Sequence, residues 1–158
     1  KRADITKEAT VMCLIRWQNR RWGAHGVEFE GWPVRALEYA ILALGSGVGL
    51  IELVPDSTTL DELKRNHTQQ GFPIERRVSD YLLQGGDNVE SPDDLLRALA
   101  ASTVAYLVSN FVLGIRDGHG DNVMITARGV LFRVDFGFVW GEQPAIDAPA
   151  VWLPRAVK

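Results

Sequence analysis

Ile115-Arg116-Asp117-Gly118-His119-Gly120-Asp121-Asn122-Val123-Met124-Ile125 reads as a polar loop that runs straight into an apolar strand. Gly129 then marks a turn, Val130-Leu131-Phe132-Arg133-Val134 reads as a second strand, and Asp135-Phe136-Gly137 ends it. A hairpin of this kind brings Asn122 and Asp135 together at its open end. Carboxamide and carboxylate oxygens are hard ligands that suit Mg2+. Asp117 and His119 share one tight loop, where either can take a proton from an attacking hydroxyl; an imidazole with an ordinary pKa of about 6.5 suits general-base work. Which of the two takes it is left open by the residues alone. An Asp-x-His tripeptide in isolation would be a turn whose side chains satisfy backbone groups. With Asn122 and Asp135 at these offsets, the stretch points to phosphoryl transfer, in which metal and electrostatics do most of the catalysis.

Upstream, Ser91-Pro92-Asp93-Asp94 is a helix start: an N-cap Ser, Pro at the first helical position and two acids in the first turn. Loss of Ser91 is expected to cost about 1 kcal/mol. The helix runs through Leu95, Leu99, Thr103, Tyr106 and Phe111 to Gly114, apolar over most of its surface, and so is expected to be central and buried. Its end delivers the Asp117–Asn122 loop. Earlier in the chain, Val11, Leu14, Ile15 and Trp22 share one face of a helix over Thr6–Trp22, with Asp4 as N-cap. A connection over Gly23–Pro33 follows. Strands are expected over Val34–Leu44 and Gly49–Val54, joined by the glycine-rich turn Gly45–Gly49. Short helices are expected over Thr58–Arg65 and Glu75–Leu83, and a loop over Gly85–Glu90.

The chain has 158 residues, 46% hydrophobic and 23% charged, which is enough for one folded unit with a real core. A net charge of −3 and the lack of a basic stripe argue against nucleic acid as a partner, and assign the five Trp and six Phe to core packing rather than base stacking. Cys13 is the only cysteine, so no internal disulfide can form, which fits a reducing compartment. Lys1–Glu8 lacks the apolar run of a signal peptide, and no run of about 20 apolar residues suggests a membrane-spanning helix.

The central stretch resembles the catalytic core of the phosphatidylinositol 3- and 4-kinases and their protein-kinase relatives. That family reads Gly-(hydrophobic)-x-Asp-Arg-His-x-x-Asn-(hydrophobic)-Met, then Asp-Phe-Gly after a short hairpin. Gly114-Ile115-Arg116-Asp117-Gly118-His119-Gly120-Asp121-Asn122-Val123-Met124 and Asp135-Phe136-Gly137 match it, with Gly118 in place of the family's Arg. Gly114-Ile115 is closer to the 3-kinase and protein-kinase branches than to the 4-kinases. A second match, without a gap, runs from Tyr39 to Val54 and ends in Ile51-Glu52-Leu53-Val54.

The resemblance implies an α+β, protein-kinase-like two-lobed fold, present here in part. Residues 1–54 would be the end of the small lobe, a helix and antiparallel strands that finish in the hinge strand. Residues 55–158 would be the helical start of the large lobe, with the catalytic-loop hairpin and the start of the activation segment. It implies ATP and Mg2+ as cofactors, Asp117 and His119 as catalytic residues, and Asn122 and Asp135 as metal ligands. Adenine would lie against Ile51, Glu52, Leu53 and Val54, held by the Glu52 carbonyl and the Val54 amide, with Met124 and Val134 on its other face. Glu8 matches an acid of the family's helix start and would be a further cofactor-binding residue, and Lys1 matches the phosphate-binding Lys only across a one-residue deletion.

The acceptor implied is a hydroxyl, usually on the inositol ring of a membrane lipid. The segment after Gly137 holds Glu142 and Asp147 and no Lys or Arg until Arg155, whereas a phosphorylated headgroup would want cations there. Phosphatidylinositol itself is therefore the expected acceptor, on a cytoplasmic protein peripheral to the membrane. Two other readings stand beside this one: a protein Ser/Thr kinase of the related branch, and a catalytically weak or inactive kinase-like binding or scaffold module, which Gly118 motivates.

Overall fold

A computed structural model describes residues 5–45, 47–67, 74–84 and 91–145. Lys1, the expected cap Asp4, the 85–90 loop, Asp147 and Arg155 lie outside the described residues. The order is α1 (Ile5–Ala24), β1 (Glu28–Phe29), β2 (Trp32–Pro33), β3 (Ile41–Gly45), β4 (Val48–Ile51), β5 (Ser57–Thr59), α2 (Leu60–His67), α3 (Ile74–Gln84), α4 (Pro92–Leu113), β6 (Val123–Thr126) and β7 (Leu131–Arg133). Helices with small antiparallel sheets make this an α+β fold. The sheets are the hairpins β1-β2 and β3-β4 and the three-stranded β5-β6-β7.

The predicted connection over Gly23–Pro33 contains a hairpin. Glu30 (φ 50°) and Gly31 (φ 80°) both take the left-handed backbone that a two-residue type I′ turn requires. Glu is not a usual residue for that turn, which hid it. The predicted strand over Val34–Leu44 is a strand only from Ile41. Before it, Val34, Ala36 and Tyr39 are buried, but the backbone is held by a side chain instead of a neighbouring strand. Asn19 Nδ2 donates to the Ala36 carbonyl (2.8 Å), and the Ala36 N–H donates to Asn19 Oδ1 (2.9 Å). Helix was also expected from Thr58, yet Ser57–Thr59 pairs with Thr126–Met124 as an edge strand. The helix begins after it, capped where the Glu62 N–H donates to Thr59 Oγ1 (3.0 Å).

Two expectations for α4 need correction. Ser91 makes no side-chain cap; its Oγ donates to the Asp94 carboxylate (3.0 Å), so the loss expected on removing it does not apply. Nor is the helix buried all round. Leu95, Leu99, Ala105 and Tyr106 face inward, while Leu96, Val108, Phe111 and Val112 are exposed. By length and composition α4 is apolar enough to cross a membrane, contrary to the sequence expectation. Its packing on β7, β1, β2 and α1, with Ser102, Thr103 and Ser109 buried, is that of a core helix. The assignment of all aromatics to the core also fails. Phe132 and Phe136 are buried, but Trp17, Trp140 and Phe111 are more than half exposed, because a helix or turn offers only one side to the interior.

The β6-β7 hairpin lies between two apolar clusters and divides its side chains by alternation. Met124, Phe132 and Val134 face a cluster with Val11, Met12 and Ile15 of α1, Tyr39, Phe136 and Val139. Val123, Ile125 and Leu131 face the other, with Leu60, Leu63, Val78, Leu82, Leu99 and Tyr106. Ser102 Oγ on α4 accepts the Leu131 N–H (3.0 Å), which fixes the hairpin's height on the helix. Gly129 closes the hairpin at φ +79°, and a Cβ there would lie 2.6 Å from the Leu95 carbonyl oxygen. Both left-handed strain and a backbone clash oppose a side chain. Gly129→Ala is therefore expected to cost about 1–3 kcal/mol, read as a lower thermal midpoint with the fold's circular dichroism retained.

Candidate active site

Helix α4 ends in a Schellman motif at Gly114, with the Gly114 N–H donating to the Phe111 carbonyl (3.3 Å) and the Ile115 N–H to the Asn110 carbonyl (2.9 Å). This ending turns the chain into the polar loop. The loop is then tied down on the far side of the hairpin: the Arg116 N–H donates to the Phe138 carbonyl (2.9 Å), and the Trp140 N–H to the Leu113 carbonyl (3.1 Å). The stretch around Asp117 and the stretch after Asp135 thus run beside each other.

Within the loop, Asp117 takes φ 67°, and across the hairpin Asp135 takes φ 62°. Such backbone is uncommon for residues with a Cβ, Asp being among the more tolerant, and it persists where surrounding contacts over-determine it. The contacts here are specific. Asn122, buried, donates from Nδ2 to the Asp117 carbonyl (3.1 Å) and to Asp117 Oδ2 (3.2 Å). Both partners are acceptors only, so the amide nitrogen faces Asp117 and the carboxamide oxygen points the other way. The Asn122 N–H donates to the His119 carbonyl (3.0 Å), and the Val134 N–H donates to the Asn122 carbonyl (3.1 Å). That last bond sets Asn122 beside the residue before Asp135. His119 Nε2 lies 3.6 Å from Asp117 Oδ1 with its ring half exposed. Asp117, His119 and Asn122 are therefore one group at the open end of the hairpin, and Asp135 follows the residue that bonds Asn122.

Of the remaining candidates, Ile51, Val54, Met124 and Val134 are partly buried and pack on one apolar cluster. Glu52 and Leu53 are exposed, Leu53 at 87%. The Glu52 N–H donates to the Ala40 carbonyl (2.8 Å), its carboxylate accepts the Ala40 N–H (2.6 Å), and the Val54 carbonyl accepts Ser57 Oγ (2.8 Å). Those bonds leave the Glu52 carbonyl and the Val54 amide outside them. Glu8, 2% exposed, is on the first turn of α1. The Tyr39 phenol is pushed well above its ordinary range by burial first, then by Glu8 and Asp135, which places both carboxylates near it. Tyr39 Oη in turn donates to the Arg133 carbonyl (3.3 Å).

Three residues of this neighbourhood escaped the sequence reading. Arg133 is buried and donates to the loop backbone; an Arg inside the apolar run Val130–Val134 was the available signal. Asp61 on α2 presses on the loop so closely that a Cβ at Gly120 would lie 2.1 Å from its Oδ1, and its N–H donates to the Gly120 carbonyl (3.3 Å). Lys7 on α1 donates to the Gly137 carbonyl (3.2 Å) and pairs with Glu142 (2.6 Å). The last two are contacts between distant segments, with no local mark in the sequence.

An α+β fold that gathers an Asp-x-His loop, an Asn and an Asp-Phe-Gly end at one hairpin mouth is that of a kinase-like phosphotransferase. The sequence profile of the family Phosphatidylinositol 3- and 4-kinase matches residues 2–149, and the chain belongs to that family. Among its relatives, the rat Phosphatidylinositol 3-kinase C2 domain-containing subunit gamma is 29% identical over 88% of this chain and 9% of its own length. The Dictyostelium discoideum Phosphatidylinositol 3-kinase 2 is 27% identical over 88% of the chain and 7% of its own length. The human Phosphatidylinositol 4-phosphate 3-kinase C2 domain-containing subunit beta is 25% identical over 88% of the chain and 8% of its own length. The chain thus spans under a tenth of the length of these relatives. Family membership supports a lipid-kinase role.

Proposed function

We propose that the chain is the central part of an ATP- and Mg2+-dependent phosphatidylinositol kinase domain that transfers the γ-phosphate to an inositol hydroxyl. The observation that carries this reading is the arrangement at the hairpin mouth: two Asp residues in left-handed backbone, with Asn122 bonded to one and to the residue before the other. The boundary between small and large lobes falls after Val54 in this reading. The protein works in the cytoplasm, peripheral to a membrane.

The donor set fits the metal. Asn122 and Asp135 would offer two oxygen ligands at the open end of the hairpin, and among the described residues no group of three or more His, Cys, Asp or Glu forms a cage. Mg2+ is commonly held by one or two protein oxygens, with water and substrate phosphates filling the rest. When bound, it would neutralise charge on the transferring phosphate. The chain's own residues do the positioning. Asn122 spends its N–H groups on Asp117, which orients its carboxamide oxygen and holds the Asp117 carboxylate in place. Asp117 and His119, within reach of one another, receive the proton of the acceptor hydroxyl. Ile51, Val54, Met124 and Val134 would hold the adenine ring, with the Glu52 carbonyl and the Val54 amide as its polar partners. Glu8 lies deeper, beside Tyr39, and anchors α1 against the site.

Acceptor choice rests on charge beyond Gly137. In Phe138–Ala145 the only charged residue is Glu142, and the cation brought there by α1, Lys7, is already paired with it. A multiply phosphorylated headgroup would meet no uncommitted cation at this segment, whereas a neutral inositol ring needs none. With the intact protein and Mg·ATP, transfer to vesicles of phosphatidylinositol is expected to exceed transfer to the bisphosphate lipid by about tenfold, and to exceed transfer to a generic protein acceptor. Preference for the bisphosphate lipid would overturn the headgroup assignment. A saturable rise in melting temperature with Mg·ATP and no transfer to any acceptor would mark a nucleotide-binding scaffold instead.

A further inference from the structure

Arg133 is the buried cation of this site, 6% exposed in the last position of β7, on the hairpin face that carries Leu131. Its guanidinium lies close to the Tyr106 hydroxyl of α4, which favours its charge. From Nη2 it donates to the Arg116 carbonyl and to the Asp117 carbonyl (2.8 Å). Those two carbonyls belong to the peptide units on either side of Asp117. One nitrogen therefore grips both ends of the φ,ψ pair that is held at φ 67°. Burial disfavours the charge, and the nearby Tyr106, Asp117 and Asp135 oppose that effect. Nε is buried without a hydrogen-bond partner among the described residues, so the side chain is placed for the loop at some cost to itself. Gly118, next in the loop, carries no side chain that could do the same work.

We propose that Arg133 is the positioning residue of the catalytic loop: reaching from inside the hairpin, it locks Asp117 in left-handed backbone and so aims its carboxylate. This rests on the reading of Asp117 as part of the transfer site. The two N–H groups of one guanidinium nitrogen suit two fixed carbonyls, and the lost order of a single loop residue is enough to misplace a reacting group.

The test uses the intact protein with Arg133→Met, which keeps the bulk and removes the donors, and Arg133→Lys, which keeps a charge and donors. For Arg133→Met, kcat is expected to fall about a hundredfold. The KM for ATP and the melting shift with Mg·ATP should stay near wild type, because Asn122 keeps its backbone bonds to His119 and Val134. Amide exchange of Gly118–Asp121 should speed up while that of Val123–Ile125 does not. Arg133→Lys should recover most of both properties. Equal exchange across loop and strands in wild type and Arg133→Met overturns the proposal. So does a loss of kcat matched by a loss of the Mg·ATP shift and of global stability, which would mark a structural role only. The exchange measurement needs no turnover. If the wild-type protein transfers no phosphate, the kinase reading fails while the ordering of the loop by Arg133 is still decided.

Discussion

Asp135→Asn in the intact protein is expected to lower phosphoryl transfer by roughly a thousandfold, about 4 kcal/mol of transition-state stabilisation. It should also remove the melting shift produced by Mg·ATP. The substitution keeps size and shape. Asn tolerates the left-handed backbone that Asp135 occupies at φ 62°, so the hairpin has no reason to rearrange. What it deletes is the negative oxygen beside Asn122, one of the two ligands that would hold the metal. Stability without nucleotide should change by about 1 kcal/mol or less, since the side chain is only partly buried. Each quantity separates a different cause. Lost transfer with an unchanged nucleotide shift would place the metal elsewhere. Lost stability without nucleotide would make Asp135 a structural residue.

The second large effect falls on the other carboxylate. Asp117→Asn should lower kcat by about 10²–10⁴-fold, the usual contribution of a positioned proton acceptor, with the KM for ATP and the Mg·ATP shift retained. Asn can still accept a bond from the Asn122 amide, so the loop keeps one of its ties. His119→Gln tests the other candidate in the same assay. Its ring is half exposed and 3.6 Å from Asp117, loose enough to swing toward an acceptor. The residue that takes the proton is the one whose replacement removes the acid limb of the pH–rate profile. If both variants keep full kcat, the loop is not the site of proton transfer.

Comparison of sequence and structure is instructive at particular elements. Helices α1, α3 and α4 follow from their apolar spacing to within a residue or two, because a stripe of side chains at helical period is a local property. The β6-β7 hairpin follows from its alternation and from Gly129, whose φ of +79° only glycine takes without strain. Three of the errors have one origin. At Val34–Tyr39 the expected strand did not form, and Asn19 of α1 took both backbone hydrogen bonds of Ala36 that a partner strand would have had. At Ser57–Thr59 the pairing with β6 displaced a plausible first turn of helix. At Ser91 the expected cap hydroxyl turned to the Asp94 carboxylate instead. In each case a contact absent from the local window outweighed a local preference of about 1 kcal/mol or less.

The site divides along the same line. That the chain around Asn122 meets the chain around Asp135 was determined by the sequence itself, and the Val134 N–H donates to the Asn122 carbonyl: a short hairpin leaves its two open ends no other place to be. The chemistry of the Asp117–Asn122 loop was legible for the same reason, since its residues are neighbours in the chain and need little folding to meet. Only the tertiary structure decided which residues hold that loop in shape. Arg133 beneath it, Asp61 against Gly120 and Lys7 on the Gly137 carbonyl arrive from three other elements. A buried guanidinium in an apolar strand is a cost in sequence terms. It becomes intelligible only when the fold brings it the two carbonyls of Asp117.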